Sequence, residues 1–116
     1  MVDVTPQIWA LAALAALAHE VRLSVFRMLV QAGPDGLVAG VIAEKAGVPS
    51  STMSHHLATL ERSGLVQSKR ESRHIYYQAD YGSMRRLLTY LMQDCCNGAP
   101  ELCTDLTSLS CEKAVW

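Results

Sequence analysis

Apolar residues recur along this chain with two different periods, and the switches between them mark out its elements. From Ile8 to Ala18 nearly every position is apolar, and Thr5 followed by Pro6 supplies an N-cap and first-turn residue for a helix. Val21, Val25, Met28 and Leu29 then fall on one side of a second helix, about His19 to Gln31, which Gly33-Pro34 stops and Asp35-Gly36 turns. A short third helix, roughly Val38 to Ala46, directs Val38, Val41 and Ile42 inward and ends at Gly47, suited to the left-handed cap position. Pro49 keeps Val48 out of helical geometry. Beyond it Met53, Leu57 and Leu60 recur at i, i+4 and i+7, a fourth helix closed by Gly64. Leu65 to Arg70 and Arg73 to Gln78 then read as strands joined at Glu71-Ser72. A last helix from about Tyr81 to Asp94 carries Met84, Leu87, Leu88 and Leu91 as its stripe.

A short helix, a glycine turn and a second helix make a helix-turn-helix, and the following hairpin makes a wing. The expected fold is mainly α with a small β-hairpin, a winged helix-turn-helix. Opposite the apolar stripe of the fourth helix stand Thr52, His55 and Thr59. Short uncharged hydrogen-bonders suit base edges and phosphates, whereas a merely solvated face is better served by Lys and Glu. Ser51, Thr52, Ser54, His55 and His56 are therefore the candidate DNA contacts on this helix. His56 lies nearer the buried stripe than His55, so a packing role competes for it. At the hairpin tip Lys69, Arg70 and Arg73 are candidates for the phosphate backbone, while Glu71 among them fits an ordinary solvated turn.

With 116 residues, half of them hydrophobic, the chain can bury one modest core. It divides into a DNA-binding and dimerisation domain over 1–94 and a tail over 95–116. A net charge of −1 hides an asymmetry. Between Ser50 and Arg86 six basic residues face three acidic ones, and from Asp94 to Trp116 four acidic residues face Lys113 alone. The positive segment is the one holding the candidate DNA contacts. Ala16-Leu17-Ala18 resembles a signal-peptide cleavage site, but Asp3 precedes it without Lys or Arg and the run is too short for a bilayer. A mature helix, a cytoplasmic location and no membrane partner are expected. The first and last helices offer more apolar surface than one small domain needs, which a homodimer would bury.

All four cysteines, Cys95, Cys96, Cys103 and Cys111, lie in the last quarter. In a reducing compartment such clustering points to metal ligands or reactive thiols rather than disulfides.

His19-Glu20-Val21-Arg22-Leu23, Ile42-Ala43-Glu44, Ser51-Thr52-Met53-Ser54-His55-His56-Leu57, Leu60, Gly64-Leu65-Val66 and Arg73-His74-Ile75-Tyr76-Tyr77 resemble the ArsR/SmtB family of metal-sensing winged-helix repressors. The likeness runs from about Ala18 to Leu91. It implies a cytoplasmic bacterial homodimer that binds an inverted-repeat operator when metal-free and lets go when its inducer binds. The family's inducer sites vary, and two common ones are missing. The third helix has no cysteine pair, and the last helix offers only Asp80 and Asp94, with no histidine. Ser72 also stands where the family more often has glycine.

The C-terminal thiols remain. If the last helix persists, Cys95 continues its apolar stripe and Cys96 lies about 100° round the axis. Asn97-Gly98 and Pro100 then let the chain fold back and bring Cys103 to the same point. Three thiolates suit arsenite or antimonite, whose lone pair takes the fourth position. Cys111 is a spare or completes a four-sulfur zinc or cadmium site. The expectation is a repressor induced by arsenite or antimonite through Cys95, Cys96 and Cys103, with no organic cofactor. A thiol-redox-sensing or Zn/Cd-responsive repressor of the same fold is the alternative. An enzyme is disfavoured, since the chain has no Cys-x-x-Cys, no phosphate loop and no cleft-forming α/β pattern.

Overall fold

The computed structural model describes residues 5–92. Five helices and three strands follow in the order α1 (Thr5–Leu17), α2 (Glu20–Ala32), β1 (Leu37–Val38), α3 (Ala39–Ala46), α4 (Ser50–Arg62), β2 (Val66–Glu71), β3 (His74–Ala79) and α5 (Tyr81–Met92). No single helix among these residues is long and apolar enough to cross a membrane, and α1 meets α2 at 101°.

The apolar composition of α1 gives it no preferred side, so packing chooses one. Ala10, Ala13 and Ala16 face the core at 0–2% exposure, while Ile8, Leu11 and Leu14 point outward. Small residues at i, i+3 and i+6 let the helix lie close on α2, α4 and α5. At the corner His19 is extended, and its Nδ1 accepts the Val21 N–H at 3.2 Å, capping α2.

The core centres on Val25, Leu29, Ile42, Met53, Leu57, Leu60 and Leu65, all under 2% exposed. It sits where α2, α3 and α4 meet. Gly47, at φ 70° and ψ 33°, takes the left-handed cap expected of it, with its N–H on the Glu44 carbonyl and that of Val48 on Ala43. Val41, expected inward, is instead 41% exposed. The eight-residue α3 packs through the adjacent Ile42 and Ala43 and presents little more than that to the core.

The sheet has order β1-β3-β2 and is antiparallel throughout. The two-residue β1 has no counterpart in the hydrophobic pattern. It pairs Leu37 with Tyr77 and Val38 with Tyr76, and so ties the wing to the start of α3. Gly36 makes this approach possible: at φ 70° it lies so close to β3 that a Cβ would collide with the Tyr77 carbonyl. The hairpin turn falls at Ser72-Arg73, one residue later than the pattern places it, because Glu71 still pairs with His74. Ser72 holds φ 57°, a conformation usually left to glycine.

Asp80 Oδ1 accepts the Ser83 N–H at 3.0 Å and caps α5. Tyr81 Oη donates to the Val30 carbonyl at 3.1 Å, anchoring α5 on α2. Leu87 is buried, while Leu88 and Leu91 stand 49% and 50% exposed beside α1.

Candidate nucleic-acid interface

Four buried residues of α4, Met53, His56, Leu57 and Leu60, seat the helix on the core. That seating leaves Ser51, Thr52, Ser54, His55, Ala58, Glu61 and Arg62 exposed. Ser51, His55, Ala58 and Arg62 follow one another at i, i+4, i+7 and i+11, a line along the outward side. Of the five residues expected to contact DNA from this helix, four are on that side. Ala58 and Arg62 belong with them, and spacing measured from His55 would have found both.

His56 faces the other way, at 7% exposure. Arg22 Nη1 donates to its Nδ1 at 3.3 Å, and the His19 ring lies 4.6 Å away, centroid to centroid. Burial, His19, Arg22 and His55 all hold the His56 pKa below its ordinary value, which favours the neutral ring, and because a guanidinium can only donate, Nδ1 is the acceptor. Arg22 also sends Nε to the Ala16 carbonyl at 2.6 Å, near the end of α1. One guanidinium thus joins α1, α2 and α4. The packing role for His56 prevails, which takes it out of the contact set. Thr59 is similarly occupied: its hydroxyl donates to the His55 carbonyl at 3.1 Å and accepts from Arg62 Nη2 at 3.4 Å.

The wing has two unlike faces. Successive strand residues alternate sides, and Val66 and Ala79 are buried, so Val66, Ser68, Arg70, Ile75 and Tyr77 share the side turned toward the body. Ser68 Oγ donates to Glu61 Oε2 of α4 at 2.8 Å, so this is also the side of the recognition helix. Lys69 points the opposite way and pairs with Glu71 at 3.2 Å. Arg73 stands exposed in the turn. On the strand face turned toward α4 the positive charge is therefore that of Arg70, while Lys69 on the other face is offset by its neighbour.

Among the described residues no group of three His, Cys, Asp or Glu side chains is placed to hold a metal ion. Cys95, Cys96, Cys103 and Cys111 lie outside the described residues.

An exposed polar recognition helix flanked by a basic hairpin defines a winged helix-turn-helix DNA-binding domain. Comparison with known proteins agrees. Residues 17–68 match the model of a helix-turn-helix domain. The chain is 31% identical over 87 residues to the HTH-type transcriptional regulator YgaV of Escherichia coli, covering 75% of this chain and 86% of that one. It is 31% identical over 75 residues to the nodulation protein NolR of Rhizobium meliloti, 65% of this chain, and spans 59% of that relative's length. Among solved structures, the homodimeric winged helix-turn-helix domain of Mb0332 from Mycobacterium bovis, a possible ArsR-family regulator, superimposes with a TM-score of 0.62. Its identity is 27%, over 76% of this chain and 81% of that one. The chain belongs to the HTH-type transcriptional regulators, with the winged helix-turn-helix fold.

Proposed function

We propose that the protein is a cytoplasmic, homodimeric transcriptional repressor that releases operator DNA when Cys95, Cys96 and Cys103 bind arsenite or antimonite. The observation that carries the DNA-binding part is the line Ser51, His55, Ala58, Arg62 beside the Arg70 side of the wing, with Arg73 exposed in its turn. Serine and histidine read base edges, and the arginines engage phosphates.

Dimerisation is supported by Ile8, Leu11 and Leu14 of α1 with Leu88 and Leu91 of α5, large apolar side chains left exposed on two neighbouring helices. Two-fold symmetry sets a pair of recognition helices about one DNA turn apart, as an inverted-repeat operator requires.

The metalloid response rests on the position and chemistry of the thiols, of which Cys95 and Cys96 come shortly after the last residue of α5 in the sequence. Ligation there would bias the placing of α5, and so the separation of the two recognition helices. Packing between α5, α1 and the end of α4 supports this reading. Arg86 of α5 lies 4.0 Å over the Trp9 ring of α1, and a Cβ on Gly64, just past α4, would stand 3.4 Å from Trp9 Nε1.

The test is a titration of the DNA-bound protein with arsenite, zinc and cadmium, following DNA release and thiols consumed. Changing Cys95, Cys96 or Cys103 singly to Ser should leave DNA binding intact and abolish arsenite release; unchanged release from all three refutes the assignment. Release should also weaken as pH falls, since the ligands are thiolates. Release by peroxide in the absence of arsenite, reversed by dithiol, would make the same cysteines a redox sensor instead.

A further inference from the structure

The wing has little core of its own. In β2 only Val66 is buried, and the five residues from Gln67 to Glu71 are exposed. Its angle to α4 must therefore be set by contacts at its base. The link between them, Ser63-Gly64-Leu65, is anchored to the helix. Ser63 Oγ donates to the Leu60 carbonyl at 2.7 Å and accepts the Leu65 N–H at 3.4 Å, while Gly64 turns the chain at φ 87°. That fixes where the wing starts but not how far it leans.

A second contact lies beyond the link. Glu61, in the last turn of α4, accepts the Ser68 hydroxyl at 2.8 Å. Ser68 pairs across the sheet with Tyr77, whose phenol is pushed up by burial and then by the Glu61 charge. Tyr77 is in turn held by β1. A carboxylate beside the phosphate path repels DNA, which makes it a poor surface residue for this face unless its bond matters.

We propose that Glu61 is a positioning residue: bonded to Ser68, it sets the lean of the wing so that Arg70 and Arg73 reach the backbone flanking the groove entered by α4. The inference rests on the DNA-binding reading above and adds a role for an acidic residue that composition alone would count against binding.

The two effects of Glu61 have opposite signs, so paired substitutions separate them. Glu61→Gln keeps an acceptor for Ser68 and removes the repulsion; Glu61→Ala removes both; Ser68→Ala removes the bond and keeps the charge. The probe is a fluorescent duplex recovered from a random-sequence pool by the wild-type protein, with affinity read by anisotropy. The expected order from tightest to weakest is E61Q, wild type, E61A, S68A. E61Q and E61A should differ by about five-fold or more, the scale of one hydrogen bond. Arg70→Ala should weaken wild type and E61Q but have little further effect in S68A. In the free protein, hydrogen exchange of the β2 and β3 amides should quicken in E61A and S68A and not in E61Q. Equal affinities for E61Q and E61A, or exchange unchanged in all three variants, overturns the positioning role while leaving DNA binding standing. If the wild type recovers no duplex at all, the DNA-binding reading falls, and this role with it.

Discussion

Replacing Arg22 with alanine removes the donor that serves two acceptors on different helices, the Ala16 carbonyl at 2.6 Å and His56 Nδ1 at 3.3 Å. A bond from a charged donor contributes roughly 1.5–3 kcal/mol net and a neutral one about 0.5–1.5 kcal/mol. Arg22 is half-buried, and water recovers part of what the Ala16 carbonyl loses. Removing a cation beside His56 also relieves some of the pressure on its pKa. The net loss should be about 2–3 kcal/mol, or a fall in Tm of about 10 °C or more for a domain of this size. Urea unfolding of wild type and variant at one protein concentration measures it, the concentration being matched because the stability of the proposed dimer would depend on it. Arg22→Lys offers a point charge in place of a two-ended fork and should recover no more than half. A loss under about 0.5 kcal/mol for R22A would refute the argument that this guanidinium joins three helices, since surface substitutions fall in that range. Full recovery by lysine would refute the need for two simultaneous bonds.

Stability should fall as pH drops below about 6.5, because the depressed pKa keeps folded His56 neutral while the unfolded chain takes up a proton near the ordinary value of 6.5. The contribution is fully present above that value, and its loss stops growing once pH passes the folded pKa. His56→Gln should flatten the curve just below pH 6.5 in urea titrations, and an unchanged slope would show that other groups carry it. Leu91→Glu, which places a carboxylate on the exposed apolar side of α5, should shift sedimentation from dimer to monomer and weaken operator binding with it. In DNA titrations Arg70→Ala should cost more affinity and more salt dependence than Lys69→Ala, whose charge already faces Glu71 at 3.2 Å; equal effects would contradict the two-faced wing.

Much of the architecture was legible because the helices have short-range signals. Met53, Leu57 and Leu60 at helical spacing located α4, and Gly33, Gly47 and Gly64 ended their segments where the backbone takes positive φ. The exposed candidates Ser51, Thr52, Ser54 and His55 could be read from the face opposite that stripe. His56 could not be settled in this way. At the border of the stripe, its direction depends on Arg22, 34 positions earlier in the chain. Strand β1 was illegible for a related reason, since two residues carry no period and exist as a strand only through Tyr76 and Tyr77.

The amino-acid sequence by itself therefore determined the succession of elements, the helix-turn-helix and the place of the wing. These follow from backbone preferences and periodicities that act within a few residues. Only the tertiary structure decided which side of a uniformly apolar α1 goes inward, where alanines beat leucines because they allow closer approach to three other helices. Only it separated Arg70 from Lys69 and placed Glu61 on Ser68. Each of those choices depends on a neighbour brought near by folding, and local pattern holds no record of that neighbour.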